Sequence, residues 1–183
     1  LFYLTIEVYT ILEALSKLPN RVWVSDITYF KCNDQGYYIC VIIDLFSRMV
    51  VSYRISPNNS TQLVTSTYKY AQLCRKVEEG LIFHSDRGLQ YLSHAFRKVL
   101  DLHHAVQSLS ALGQPYDNAV AESFFASMKK EVLYRKDCRS KAELLSTVKE
   151  YVRFYNNERP HTALGYKTPV QFEDQYFQRL SRE

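Results

Sequence analysis

The sequence predicts an α/β fold in which an antiparallel meander of strands leads into alternating helices and strands. β-branched and aromatic residues dominate residues 21–30, and similar residues fill 37–45 and 49–55, which is typical of strands. The fully apolar run 81–83 is typical of a buried central strand. Between and after these strands apolar residues recur at helical spacing, so helices are expected to flank the sheet.

The composition is that of one globular domain. A chain of 183 residues, 46% hydrophobic and 23% charged, can bury a proper core and is unlike a disordered polypeptide. Its net charge of +4 permits a nucleic-acid partner without requiring one. No run of residues is apolar for long enough to cross a bilayer, and the first residues lack the basic start of a signal peptide. We therefore expect no membrane partner.

Residues 1–20 predict an N-terminal helical extension or linker. Its apolar residues follow helical spacing: Leu4, Val8, Ile11, Leu12, Leu15 and Leu18. Such a stripe is expected to pack on the domain or on a second copy of the chain. Pro19 and Asn20 are expected to end the helix.

The strand predicted over residues 21–30 carries Asp26 in its middle. Asp is disfavoured inside strands, so a carboxylate between apolar neighbours needs a hydrogen-bond network, a cation or a metal ion as its partner. Asp44, beside a later hairpin, is another candidate acid. Because Asp next to a turn commonly bonds backbone N–H groups, or an arginine such as Arg48, a structural role is favoured for Asp44.

Another acid, Asp86, follows the buried run 81–83. Before that run, residues 57–60 are expected to cap a helix that Gly80 closes. The expected buried positions of this helix are Leu63, Val64, Thr67, Ala71 and Cys74. The chemistry of open α/β sheets concentrates where strands end and loops begin, and Asp86 is placed at such a point, with Gly88 allowing a tight backbone just after it.

A helix over about residues 93–102 and a strand over 103–109 are expected to precede a Gly/Pro loop and the helix that carries Glu122. Asp117 or Asn118 can cap this helix by accepting from free backbone N–H groups. Its expected buried face is Ala121, Phe124, Phe125, Met128 and Val132. Glu122 and Lys129 are seven residues apart and project from one side. Alone, Glu122 is better explained as a solvated residue of an ordinary helix.

The last predicted helix opens with a capping box formed by Ser140 and Glu143. Its expected buried residues are Leu144, Val148, Tyr151, Val152 and Tyr155. The polar segment 155–169 predicts a loop-like tail.

The cysteines predict no metal site. Cys32, Cys40, Cys74 and Cys138 contain no C-x-x-C pair and no His at zinc spacing. We expect them to be reduced packing residues of a cytosolic protein.

Three acids form the candidate constellation: Asp26, Asp86 and Glu122, with 35 residues between the last two. Carboxylates brought together raise each other's pKa unless a counter-charge is present. Hard oxygen ligands without Cys or His favour Mg²⁺ or Mn²⁺ over Zn²⁺. Two such ions could activate an attacking oxygen and stabilise a leaving oxygen at phosphorus.

Five motifs in a fixed order carry a family resemblance. They are W-V-S-D-I-T-Y around Asp26, V-I-I-D-L-F-S-R around Asp44, H-S-D-R-G-x-Q-Y around Asp86, P-Y-D-N-A-x-A-E-S-F-F around Glu122, and Y-N-x-x-R-x-H-x-x-L-G-Y-x-T-P from Tyr155. With them the chain resembles the catalytic core of DDE-type insertion-sequence transposases of the insertion-sequence-three group, which are related to retroviral integrases.

The resemblance implies a ribonuclease H-like mixed five-stranded sheet, three antiparallel strands plus parallel strands, flanked by helices. It implies that Asp26, Asp86 and Glu122 are the catalytic residues and the ligands of two Mg²⁺ or Mn²⁺ ions. The residues expected to bind DNA are Lys129, Lys130, Asn118 and Arg87. Other recurrent family positions, at which structural or supporting roles are expected, are His84, Asn118, Tyr155, Asn156, Arg159 and His161.

The resemblance also implies the organisation and partners of the chain. Residues 21–135 would form the integrase catalytic core and 136–183 its C-terminal helix and tail. The implied activity is metal-dependent DNA strand cleavage and transfer by a homo-oligomer acting on element ends and target DNA, in the bacterial cytoplasm at the nucleoid. The helix-turn-helix module that usually precedes such a core is expected to be missing here. The alternatives are a non-catalytic DNA-binding fragment and a ribonuclease H-like nuclease.

Overall fold

A computed structural model describes residues 12, 14–110, 118–135 and 137–182. Most of the predicted helix over residues 1–18, the Gly/Pro loop and the capping role of Asp117 lie outside the described residues. Within them no helix is both long and apolar enough to cross a membrane.

Three antiparallel strands form one half of the sheet. They are β1 (Val22–Cys32), β2 (Gln35–Asp44) and β3 (Val50–Ser56). The turn between β1 and β2 consists of Asn33 and Asp34, with φ of 46° and 63°. Two central residues with positive φ suit the right-handed twist of a hairpin, and Asn and Asp tolerate that conformation. The predicted meander is confirmed, with strand ends shifted by one or two residues.

Two short parallel strands complete the sheet. β4 (Ile82–Ser85) pairs with β1, and β5 (Val106–Leu109) pairs with β4. The strand order β3-β2-β1-β4-β5 places β1 at the centre. The predicted mixed five-stranded sheet is therefore confirmed.

Six α-helices flank the sheet in the described part of the chain. They are α1 (Thr61–Cys74), α2 (Leu89–Leu92), α3 (His94–Leu102), α4 (Ala119–Met128), α5 (Lys141–Asn157) and α6 (Pro169–Leu180). A π-helical turn, Lys129–Leu133, continues α4 directly. Serines cap three of them, because the side chains of Ser60, Ser93 and Ser140 each accept from a backbone N–H in the first turn.

Side chains of β1 point alternately to the two faces of the sheet, and each face packs against its own hydrophobic cluster. Val22, Val24 and Phe30 face α4 and α5 and pack in one cluster with Phe124. Trp23 faces the opposite side and packs with α1 and α3. Since side chains alternate along a strand, Asp26 shares the face of Val24, which is the side that α4 covers.

Several details differ from the sequence predictions. Cys74 is exposed, and α1 ends there instead of continuing to Gly80. The predicted capping box is incomplete, because Glu143 accepts from the backbone N–H of Arg139 at 2.9 Å and not from that of Ser140. The segment 155–169 is largely loop-like, as predicted, apart from the end of α5 at Asn157 and a 3₁₀ turn at Thr162–Leu164. The helix α6, which follows this segment, was not predicted. The unused signal for α6 is Thr168-Pro169-x-Gln171, a capping box with Pro in the first turn.

The prediction of four reduced cysteines is wrong for two of them. Cys32, the last residue of β1, is disulfide-bonded to Cys138, which follows the π-helical turn, and their Cα atoms lie 4.9 Å apart. These cysteines are 106 residues apart in sequence, so no local spacing could have signalled the bond. Cys40 is free and buried, as expected.

The C-terminal segment is joined to the sheet by polar contacts. The amide of Asn156 accepts from the Val50 N–H and donates to the Val50 carbonyl, both at 3.0 Å, so it pairs with β3 as a short strand would. On α6, Glu173 forms an ion pair with Arg75, the residue that follows α1. The helices α5 and α6 are thus integral to the domain.

Candidate active site

Asp26 lies in the middle of the central strand and is partly buried. Its Oδ1 accepts from the backbone N–H of Ile27 at 2.8 Å. The pKa of Asp26 is raised to about 7, mainly by burial and also by the nearby Asp86 and Glu122, against the lowering effect of the Ile27 N–H and Lys129. The side chain therefore sits among like charges that disfavour its ionised form.

Asp86 is brought beside Asp26 by strand register. Ser25 pairs with Ser85 in the parallel β1–β4 ladder, so Asp26 and Asp86 are the next residues on adjacent strands, whose backbones lie about 4.8 Å apart. Asp86 is exposed, and its Oδ1 accepts from the Gly88 N–H at 3.0 Å. A Cβ on Gly88 would lie 3.1 Å from that oxygen, which explains the glycine in this turn.

Glu122 is held by the apolar face of α4. Ala121, Phe124, Phe125 and Met128 are buried, as the sequence predicts, and Glu122 in the first turn is exposed. Lys129 lies at the end of α4, where the π-helical turn begins, and is half-buried. Both charges act on Asp26, so the two ends of α4 contribute to one site.

The donor chemistry of this site suits a hard divalent cation. Three carboxylates without His or Cys supply the oxygen ligands that Mg²⁺ and Mn²⁺ prefer. Asp86 and Glu122 both raise the pKa of Asp26, an effect that a bound cation would oppose. Within the described ranges no three His, Cys, Asp or Glu side chains already lie close enough to hold a metal ion. Asp86 and Glu122 are exposed, so their side chains have room to converge.

A buried polar cluster that sequence reasoning missed lies next to Asp26. The hydroxyls of Ser25 and Tyr91 are 2.9 Å apart, and Ser25 donates to the Val41 carbonyl at 2.8 Å. Burial raises the pKa of Tyr91 well above its usual range, and Asp26 and Asp86 raise it further. Tyr91 is the last residue of the motif around Asp86, and this is the signal that could have pointed to it.

His84 ties β4 to β5 just before Asp86. It is fully buried, with Nδ1 at 2.9 Å from the Ser108 hydroxyl and Nε2 at 3.2 Å from the Ser110 hydroxyl. The exposed Arg87 donates from Nε to the Ser110 carbonyl at 2.9 Å. These contacts fix the end of β4 from which Asp86 projects, in agreement with the supporting role expected of His84.

Asn118 does not act as the sequence predicts at the start of α4. It is the N-cap residue, but its side chain makes no cap hydrogen bond. Instead its Nδ2 donates to the carbonyl of Ser25 at 3.2 Å, and only 6% of the residue is exposed. This prediction is wrong because a tertiary acceptor on β1 competes with the helix backbone.

The motif that begins at Tyr155 has structural contacts. Tyr155 packs edge-on against Phe124, and the His161 ring packs edge-on against Tyr155. Arg159 forms an ion pair with Glu131 in the π-helical turn. These contacts hold α4 and its continuation against α5.

Asp44 is a structural acid, as expected. It is fully buried, and its two oxygens accept from the backbone N–H groups of Asn20 at 2.8 Å and Phe46 at 3.0 Å. Its arginine partner is Arg75, at 3.6 Å, and not Arg48. Burial raises the pKa of Asp44 to about 6, while these N–H groups and Arg75 lower it.

Comparison with protein families gives two overlapping matches. A family described as "Integrase core domain" matches residues 16–115, and a second family of the same description matches residues 104–169. Together they include the strands, α4, α5 and all three candidate acids.

Curated relatives confirm the resemblance to insertion-sequence transposases. The transposase for insertion sequence element IS904 of Lactococcus lactis subsp. lactis (strain IL1403) is 36% identical over 85% of this chain and 62% of its own length. Transposase InsF for insertion sequence IS3fB of Escherichia coli (strain K12) is 39% identical over 86% of this chain and 55% of its own. The chain thus spans somewhat more than half the length of these relatives.

Solved structures confirm the ribonuclease H-like fold. The HTLV-2 integrase catalytic core domain, in complex with magnesium and in a trimeric form, matches with a TM-score of 0.67 and 20% identity over 85% of this chain and 97% of its own. A chain of the simian T-cell lymphotropic virus intasome in complex with PP2A regulatory subunit B56 gamma matches with a TM-score of 0.76 and 20% identity, over 85% of this chain and 55% of its own.

Proposed function

This chain belongs to the integrase core domain family, and we propose that it is the catalytic domain of a transposase that cleaves and joins DNA strands during transposition. The observation that carries the proposal is that strand register places Asp86 beside Asp26 on the central strand. Glu122 and Lys129, from the two ends of α4, lie close enough to Asp26 to influence its pKa. The similarity to insertion-sequence transposases adds the substrate class, which is DNA at the ends of an element and at its target.

Asp26, Asp86 and Glu122 would hold the divalent cations, two Mg²⁺ or Mn²⁺ ions. A relative of the same fold is described in complex with magnesium. When bound, such ions would stabilise the negative charge on the attacking and leaving oxygens of a displacement at phosphorus. The central strand fixes Asp26, and the exposed side chains of Asp86 and Glu122 would turn toward the same cations.

Two displacements at phosphorus make up the proposed reaction. In the first, water attacks a phosphodiester at the element end, the bond from phosphorus to the 3′-oxygen breaks, and a free 3′-hydroxyl is left. In the second, that hydroxyl attacks a phosphodiester of the target, and a target 3′-oxygen leaves. Alignment of attacking oxygen, phosphorus and leaving oxygen is the main contribution of the protein to both steps.

Lys129, Lys130 and Arg87 would hold the DNA backbone. Lys130 and Arg87 are exposed, and Lys129 lies close enough to Asp26 to lower its pKa. Cations beside the acids would bind phosphates on either side of the scissile bond without reading sequence. Because joining two ends to one target requires several active sites, a homo-oligomer is expected.

The test is incubation of the protein with Mn²⁺ and labelled duplexes from the terminal repeats that flank its gene, together with a supercoiled plasmid. Labelled strand joined to plasmid supports the proposal. Nicked duplex without joining would indicate a nuclease of the same fold, and retarded but uncut DNA would indicate a non-catalytic DNA-binding fragment. The matched control is the Asp26→Asn variant, which keeps the fold and should give no product.

A further inference from the structure

We propose that Asn118 is a positioning residue that ties the start of α4 to the central strand, and so holds Glu122 on the side of Asp26 where both carboxylates can converge on a divalent cation. The inference rests on the proposed function, because it assigns a role within the same site. It replaces the expectation that Asn118 contacts DNA.

The first support is the place of the hydrogen bond. Nδ2 of Asn118 donates to the Ser25 carbonyl at 3.2 Å, across 93 residues of sequence. That carbonyl belongs to the peptide group immediately before Asp26, and Asn118 lies one helical turn before Glu122. A single side chain thus connects the backbone of one candidate ligand to the helix of another.

The second support is burial. Only 6% of Asn118 is exposed, so its amide has little surface to offer to a DNA phosphate. Lys130 and Arg87, by contrast, are exposed and can offer their charges to such a contact. Burial favours a role inside the protein.

The third support is what Asn118 does not do. Asn at an N-cap normally accepts from a backbone N–H in the first turn, and here the side chain makes no such bond. Its Oδ1 is buried, and no described residue donates to it. Because only the amino group can donate to the Ser25 carbonyl, the amide cannot rotate to satisfy Oδ1 without losing the link to β1. Asn118 thus keeps its hydrogen bond to the strand, although it makes no cap hydrogen bond and its Oδ1 has no donor among the described residues.

The rest of α4 is held by apolar contacts, which fix the face that lies against the sheet. Ala121 and Phe124 are buried against the sheet, whereas Glu122 points to solvent. Asn118 supplies the polar contact that fixes the helix start next to Asp26. Loss of this contact should widen the range of positions of the Glu122 carboxylate and weaken cation binding.

The experiment measures Mn²⁺ affinity by titration calorimetry, without DNA, in the wild type and in Asn118→Ser, Asn118→Ala and Asn156→Ala. Ser keeps an N-cap acceptor and so preserves helix initiation, but it is too short to bond Ser25. Asn156→Ala is the matched control, since Asn156 also bonds a strand backbone, at Val50, on another part of the sheet. Thermal unfolding of each variant shows that it is folded at the titration temperature.

Both Asn118 variants are expected to weaken Mn²⁺ binding by about tenfold or more, as loss of a residue supporting metal ligands does. Asn156→Ala should lower the melting temperature and leave Mn²⁺ affinity at the wild-type value. Wild-type affinity in folded Asn118→Ser, with binding still abolished by Asp26→Asn, would overturn this inference alone. Wild-type protein that binds no Mn²⁺, or equal binding in Asp26→Asn, would overturn the proposed function as well.

Discussion

Two aspartates in neighbouring strands, Asp26 and Asp44, show how surroundings decide what a buried acid does. Burial raises the pKa of both, to about 7 and about 6. The neighbours of Asp44 are two backbone N–H groups and Arg75, which satisfy its charge inside the protein. The neighbours of Asp26 include two further acids. Around Asp26 the acids outnumber the one nearby cation, Lys129, which favours binding of an external cation. Around Asp44 two N–H donors and Arg75 already satisfy the charge.

The largest expected effect is the loss of DNA cleavage when an acid near Asp26 is replaced. Glu122→Gln removes one carboxylate with little change of shape and should lower DNA cleavage by at least about 10²-fold, the scale of losing one preorganised charge interaction. The measurement is product formation from labelled duplex with Mn²⁺, with circular dichroism as the check on folding. Cleavage at the wild-type rate would remove Glu122 from the site.

Asp44→Asn should destabilise the region around Asp44, where the carboxylate is bonded to backbone N–H groups. An amide offers one acceptor oxygen to the N–H groups of Asn20 and Phe46, and its NH₂ group faces the other donor. We expect a loss of about 1–3 kcal/mol in the free energy of unfolding, the cost of leaving buried donors unpaired. Urea denaturation measures it. If the stability were unchanged and Mn²⁺ binding were weakened, Asp44 would be a metal ligand and not a structural acid, contrary to the comparison with Asp26.

Asp26→Asn should change stability in the opposite direction. The folded-state pKa of about 7 lies above the usual value of 3.8, so the metal-free wild type loses stability as the pH rises from about 4 to about 7. Asn keeps the acceptor for the Ile27 N–H and carries no charge. The variant should match the wild type near pH 4 and exceed it by about 1–3 kcal/mol at pH 8.

Chemical denaturation at pH 4, 6 and 8 in the presence of a chelator checks this prediction. Addition of Mn²⁺ should stabilise the wild type and not the variant, because a ligand that binds the folded state raises its stability. A variant less stable than the wild type at pH 8 without metal would mean that Asp26 already has a counter-charge within the protein.

Lys129→Ala should have the smallest effect. It removes one phosphate contact, so DNA affinity should fall and the slope of log affinity against log salt should decrease by about 1. Fluorescence anisotropy at several salt concentrations measures both. Lys149→Ala, which removes an exposed lysine on α5, serves as the control. An unchanged slope for Lys129→Ala would exclude a phosphate contact at this position.

The sequence predicted best what short-range patterns determine. The positions of Asp26 and Asp86 followed from one strand pattern and one apolar run, and the buried face of α4 followed from helical spacing. Ser60, Ser93 and Ser140 at helix starts are local signals of the same kind. Such features depend on residues a few positions apart, so one sequence contains them.

What sequence reasoning missed depends on contacts between distant residues. Tyr91 meets Ser25 across 66 residues, and Arg75 meets Glu173 across 98. The side chain of Asn118 bonds the central strand instead of capping its own helix. Which partner each of these polar groups bonds depends on the tertiary structure, which brings distant residues together. No spacing in the sequence predicts contacts of this kind.

The most direct test of the account is a crystal structure of the protein soaked in Mn²⁺, with anomalous diffraction recorded at a wavelength where manganese scatters strongly. We predict an anomalous peak within ligand distance of Asp26 and of at least one of Asp86 and Glu122, and none at Asp44. A peak only elsewhere on the molecule, or carboxylates that stay apart at saturating Mn²⁺, would contradict the claim that these three acids form a cation site.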